Sequence, residues 1–145
     1  MRRPRLERLR ARRSRGLCIV MVCADFAEAA EVARQLLQVN TGSLVTYRRA
    51  EDLLMNTPAG RVALIILAEG GDPKKIDRTL KWIRQRWAGC PVVLVGDDGG
   101  GEMEMAARVN GASYLTRPVS SQQWAAMIEH ALRPERWVAS KERSG

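Results

Sequence analysis

Arg61-Val-Ala-Leu-Ile-Ile-Leu-Ala68 is the most hydrophobic run in the chain, and Glu69-Gly-Gly-Asp-Pro73 divides it from a segment with helical spacing, Lys74 to Trp87. The run is short and rich in β-branched residues, with glycine and proline just beyond it. That pattern predicts a strand buried on both faces. In the segment that follows, Ile76, Leu80, Ile83 and Trp87 fall on one helical face. A doubly buried strand feeding an amphipathic helix is half of a parallel βαβ unit.

The same alternation extends in both directions. Upstream, Leu17–Cys23 reads as a strand, and Asp25 can cap a helix with Ala29, Val32, Ala33, Leu36 and Leu37 on one face, ending near Asn40 and Gly42. Leu44–Tyr47 is a shorter strand, and Ala50–Asn56 a brief helix stopped by Pro58 and Gly60. Downstream come a strand at Pro91–Val95, a loop from Gly96 to Gly101, a helix at Glu102–Asn110 ended by Gly111, a strand at Ser113–Thr116, and a helix at Ser121–Arg133 with Trp124, Ile128, Ala131 and Leu132 inward. Five strands alternating with five helices imply right-handed crossovers and an α/β fold of three layers, a doubly wound five-stranded parallel sheet. Function in such sheets gathers at the carboxyl ends of the strands. Here those ends are Ala24 and Asp25, Glu69, Gly96 and Asp97, and Arg117.

The chain has 145 residues, 46% apolar and 28% charged, which suits one soluble domain. Its net charge of +8 is unevenly placed. Arg2, Arg3, Arg5, Arg8, Arg10, Arg12, Arg13 and Arg15 stand against Glu7 alone, so the first fifteen residues hold all but one of the net charges. Residues 17–133 balance thirteen basic against thirteen acidic side chains. The expected organisation is an arginine-rich arm at 1–16, disordered when free, a folded domain at 17–133 and a flexible tail at 134–145. Cys18, Cys23 and Cys90 are odd in number and form no CxxC pair, which speaks against a disulfide framework or a zinc site and for buried thiols in a cytoplasmic protein. No run approaches the roughly 18 apolar residues of a membrane span.

Residues 17–133 resemble a bacterial response-regulator receiver domain, a flavodoxin-like fold. The most specific match is Gly111-Ala-Ser-Tyr-Leu-Thr-Arg-Pro118, similar to the receiver pattern Gly-Ala, two variable residues, then Tyr-Leu-Thr-Lys-Pro, with one residue fewer and Arg117 in place of the lysine. Ala24-Asp25-Phe26 is similar to the acidic pair that closes the first strand, with the first acid replaced by Ala24. The phosphoacceptor aspartate stands four residues before a proline, which aligns Glu69 with it, while a register one residue shorter gives Ala68. The hydroxyl residue at the end of the fourth strand is matched by Gly96.

The resemblance implies a degenerate phosphoacceptor pocket of Asp25, Glu69, Gly96 and Arg117. Receivers use an aspartate nucleophile, a divalent ion held by acids, a hydroxyl to meet the phosphoryl group and a lysine to neutralise it; only Asp25 survives unchanged. Glu69 resembles a phosphorylated aspartate in charge and reach. Arg117 is expected to pair with it, by a planar two-point contact or an ordinary ion pair. No metal, cofactor or catalytic residue is expected.

Other motifs carry weaker signals. Asp97-Asp-Gly-Gly-Gly101 precedes a helix, but its carboxylates oppose a phosphate and no Walker lysine follows. His130, the only histidine, lies off the apolar helical face. Trp82 lies well over 100° from the stripe of Ile76, Leu80 and Ile83, which predicts an exposed indole in a helix segment, Asp72–Ala88, with six basic and two acidic residues. An exposed tryptophan among cations suits a protein or nucleic-acid contact; the plainer alternative lays it on neighbouring side-chain stems. The resemblance also implies a partner surface on the fourth helix, fifth strand and fifth helix, with Met105, Val109 and Tyr114 its apolar candidates.

The sequence therefore reads as a stand-alone pseudo-receiver of a two-component (phosphorelay) signalling system, not an enzyme and not phosphorylated, acting on another signalling protein or on a second copy of itself. The alternative is a nucleic-acid-associated protein that grips phosphates with the arginine arm and the basic third helix on a receiver-like scaffold.

Overall fold

A computed structural model describes residues 17–39, 42–97 and 101–133; the arginine arm and the C-terminal segment from residue 134 lie outside the described residues. Strands β1 (Leu17–Val22), β2 (Ser43–Tyr47), β3 (Arg61–Leu67), β4 (Val92–Gly96) and β5 (Ser113–Thr116) alternate with helices α1 (Phe26–Val39), α2 (Ala50–Met55), α3 (Pro73–Arg86), α4 (Glu102–Val109) and α5 (Ser121–Ala131). The sheet is parallel throughout, in the order β2-β1-β3-β4-β5. The chain order therefore reverses between β1 and β3, and the carboxyl ends of the strands define one working edge.

Strand alternation divides the core into two layers. Ile19, Met21 and Cys23, with Leu64, Ile66 and Val95, pack on Val32 and Leu36 of α1 and on Trp124 and Ile128 of α5. Cys18, Val20 and Val22, with Ile65, Leu67 and Leu94, pack on Leu53 of α2, on Ile76, Leu80 and Ile83 of α3, and on Ala106 and Ala107 of α4. Trp124 is 2% exposed, so truncating it to alanine would cost about 3–5 kcal/mol. Helices α3 and α5 begin on side-chain caps: Asp72 accepts from the Lys74 N–H, and Ser120 and Gln123 form a reciprocal capping box.

Two placements differ from the sequence reading. Leu37 is exposed, because the buried face of α1 centres on Val32 and Leu36 and the next residue rotates about 100° away. Trp82 is half-buried and packs against the second core layer. The chain leaves the helix at Trp87, whose backbone is no longer helical, and its indole meets Trp82 edge to face, with ring centres 5.5 Å apart. Tyr114, expected on the partner surface, is also half-buried against that layer. All three cysteines are free thiols, Cys18 and Cys23 buried and Cys90 half-buried.

Candidate functional site

The working edge brings Asp25, Ala68, Glu69, Gly96 and Arg117 to the ends of neighbouring strands, and each has a defined contact or packing role. Asp25 follows β1, and its Oδ1 accepts from the Ala27 N–H at 2.9 Å, capping α1 as its position predicts. Glu69 follows β3 and turns toward α2, where its Oε2 accepts from the Ala50 N–H at 3.0 Å. The N-cap residue of that helix, Arg49, makes no side-chain cap, so Glu69 satisfies a helix-end donor from a distant part of the chain.

Glu69 and Arg117, expected to form an ion pair, are engaged elsewhere. Ala68 faces the α1–α5 layer, and side chains alternate along an extended segment, so Glu69 falls on the α2 side of the sheet. Arg117 instead reaches α1. Its Nε donates to Glu28 Oε2 at 2.8 Å and its Nη2 to Glu28 Oε1 at 3.0 Å, a fork-to-fork pair. Nη2 also donates to the Ala68 carbonyl at 2.9 Å, and Nη1 to Asp97 Oδ1 at 3.2 Å. One guanidinium thereby ties the ends of β3, β4 and β5 to α1. The hydrogen bonds that Arg117 donates to Glu28 outweigh partial burial and raise the Arg117 pKa above its ordinary value. The Cys23 thiol lies below, donating to Glu28 Oε1 at 3.5 Å and to the Asp25 carbonyl at 3.1 Å; burial is the main reason its pKa is pushed up to about 11, which keeps it neutral.

Gly96 ends β4 facing Tyr114. A side chain at this position would collide with the Tyr114 phenol, whose Cζ would stand 3.0 Å from the added Cβ. The tyrosine fills the space over the end of β4, and glycine is the residue that leaves room for it.

Glu28 is the functional residue that sequence reasoning missed. It follows Asp25 by three positions, the spacing of an acid in the first turn of a capped helix, which marks a helix start and says nothing of a partner in β5.

No family model and no curated protein sequence matches the chain. Solved structures do match in fold. A signal receiver domain of a two-component histidine kinase from Clostridium thermocellum superposes with a TM-score of 0.68 at 15% identity, over 81% of this chain and 98% of that one. The fold is that of a receiver domain. An orphan response regulator of H. pylori gives 0.64 at 21% identity, over 81% and 97% of the two chains, and a CheY-like protein, tadZ, from Pseudomonas aeruginosa gives 0.65 at 16%, over 79% and 98%.

The helix surfaces of this receiver fold differ in character. On α4, Met105 and Val109 are 67% and 72% exposed, one turn apart, whereas Ala107 is buried and Met103 packs inward. On α3, most of the cations have partners within the domain. Lys75 pairs with Glu51, Lys81 with Asp77 at 2.9 Å, Arg84 donates to the Asn110 carbonyl, and Arg86 lies over the Trp87 ring. Asn110 also donates to Asp77, and this bond, with Lys81, lowers the Asp77 pKa. No described helix is long and apolar enough to cross a membrane.

Proposed function

We propose that the chain is a pseudo-receiver of a bacterial two-component (phosphorelay) system: a cytoplasmic, non-catalytic domain that is not phosphorylated and acts by binding another signalling protein or a second copy of itself. The observation that carries this reading is the Glu28–Arg117 fork. The cation aligned with the receiver lysine is satisfied by a carboxylate on α1, by Asp97 and by the Ala68 carbonyl, so an incoming phosphoryl group would have to displace them. The side chains aligned with the acceptor, the metal-holding acid and the hydroxyl support the same reading: Glu69 caps α2, Asp25 caps α1, and Tyr114 fills the space beside Gly96. Arg117 then fixes one arrangement of the working edge, and α4, with Met105 and Val109 bare, is the face offered to a partner.

Incubation with radiolabelled acetyl phosphate and Mg²⁺ tests the proposal. The protein is expected to take up no acid-stable label. Stoichiometric labelling that disappears in Glu69→Ala would overturn it.

A further inference from the structure

We infer that the arginine arm docks along α4 of its own chain, with Leu9 near Val109, Leu6 near Met105, and the first arginines beside Glu102 and Asp97. The inference rests on the reading of α4 as the partner face and adds an occupant for it.

Three observations carry it. The first is charge. By sequence the segment 97–110 has four acids, Asp97, Asp98, Glu102 and Glu104, against Arg108, while the arm has eight arginines against Glu7. Asp97 also meets Arg117 and Glu104 pairs with Arg108, so Glu102 is the described acid of this segment that stands outside these ion pairs. On the neighbouring helix Lys81 is matched by Asp77, while Arg84 keeps its charge and is anchored on the Asn110 carbonyl, at the opposite end of α4 from Glu102. The second is apolar pairing. Met105 and Val109 are two large apolar side chains exposed one turn apart, and Leu6 and Leu9 are the only large aliphatic residues of the arm after Met1.

The third is direction and reach. The arm joins the domain at Leu17, where β1 begins. In a parallel sheet each helix runs back against the strands, so Val109, at the end of α4, lies at that same edge, and Glu102, at its start, lies at the opposite one. The arm residues nearest the domain thus meet the apolar end first, and Arg2, Arg3 and Arg5 arrive at the acidic end. From β1 to β5 is three strand spacings, about 14 Å, whereas sixteen extended residues reach roughly 50 Å. A partner that binds α4 would have to displace the arm.

Methionine-methyl NMR of the full chain, compared with a Leu6→Ser, Leu9→Ser variant, tests the contact without any partner. The Met105 methyl resonance is expected to move between the two proteins, while that of Met55, 85% exposed on α2, stays in place as the control. In the parent chain, raising salt from about 50 to 500 mM is expected to move Met105 toward its position in the variant, because screening loosens exposed charge contacts. A Met105 resonance identical in both proteins would overturn the inference, and so would a shift that grows with protein concentration, which would place the arm on another copy. Neither result bears on acetyl phosphate labelling, so the two proposals fail separately.

Discussion

Arg117 and Glu28, 89 residues apart in the chain, meet as a two-point ion pair across the carboxyl edge of the sheet. The side chains are 24% and 15% exposed, so the pair is shielded but not dry. A lysine would supply a point charge and lose the fork, which explains in physical terms why arginine stands here.

Removing either partner is expected to destabilise the domain. Glu28→Ala strands a guanidinium with only Asp97 and the Ala68 carbonyl, at a cost of about 2 kcal/mol, and Arg117→Lys costs about 1 kcal/mol because the second contact is lost. Urea unfolding of the single variants and of Glu28→Ala/Arg117→Ala forms a double-mutant cycle. A coupling energy near zero would show that the two side chains do not act together.

Gly96 and Tyr114 compete for one volume. Gly96→Thr, which restores the receiver hydroxyl, is expected to force the phenol aside and lower stability by about 1–3 kcal/mol. Adding Tyr114→Ala is expected to relieve that clash, so the second substitution costs less in the Gly96→Thr background than alone. Thermal unfolding of the four proteins measures this, and strictly additive melting shifts would contradict it.

Much of the fold was legible because it depends on local pattern. The run ending at Ala68, the cap at Asp25, and the inward face of α5 follow from residue spacing alone. The site was less legible, because its contacts join segments far apart in sequence. Glu28 looks like any first-turn acid until β5 brings Arg117 over it. Glu69 fits the aligned acceptor position in sequence, yet strand parity turns it to α2, a consequence that needs the sheet as well as the spacing. Trp82 followed helical phase to a wrong exposure, since the backbone at Trp87 is no longer helical and lets the two indoles meet.

Acid should loosen the contact between α1 and α5. Hydrogen bonds from Arg34 first, then from Ser121 and Gln35, hold the Glu31 carboxyl at about 2, down from its ordinary 4.5. The unfolded chain therefore binds this proton more readily than the folded one. The stabilisation is complete above pH 4.5 and is lost as the pH falls toward 2. Ser121→Ala removes the bond from α5, at 2.6 Å, and is expected to lower the urea midpoint at pH 6 but scarcely at pH 2.5. An equal effect at both pH values would assign the loss to packing.

Deleting residues 1–16 is expected to leave the domain folded, with a stability change within about 0.5 kcal/mol, since both core layers lie within residues 17–133 and the docked arm adds only Leu6 and Leu9 at the surface of α4. Because Lys75, Lys81, Arg84 and Arg86 have partners inside the domain, any affinity for DNA is expected to reside in the arm and to vanish with it. Filter binding at several salt concentrations checks this. Retained, steeply salt-dependent binding by the shortened chain would move the function to α3.

Arg117, held by Glu28, is proposed not to serve a phosphoryl group. The most direct test is the Nε–H resonance of Arg117 in a titration with beryllofluoride and Mg²⁺, which together mimic a phosphorylated carboxylate. This resonance is expected to stay in place throughout, and Glu28→Gln is expected to move it. A saturable shift of the Arg117 resonance on adding beryllofluoride, abolished by Glu69→Ala, would return the domain to the phosphorylatable receivers.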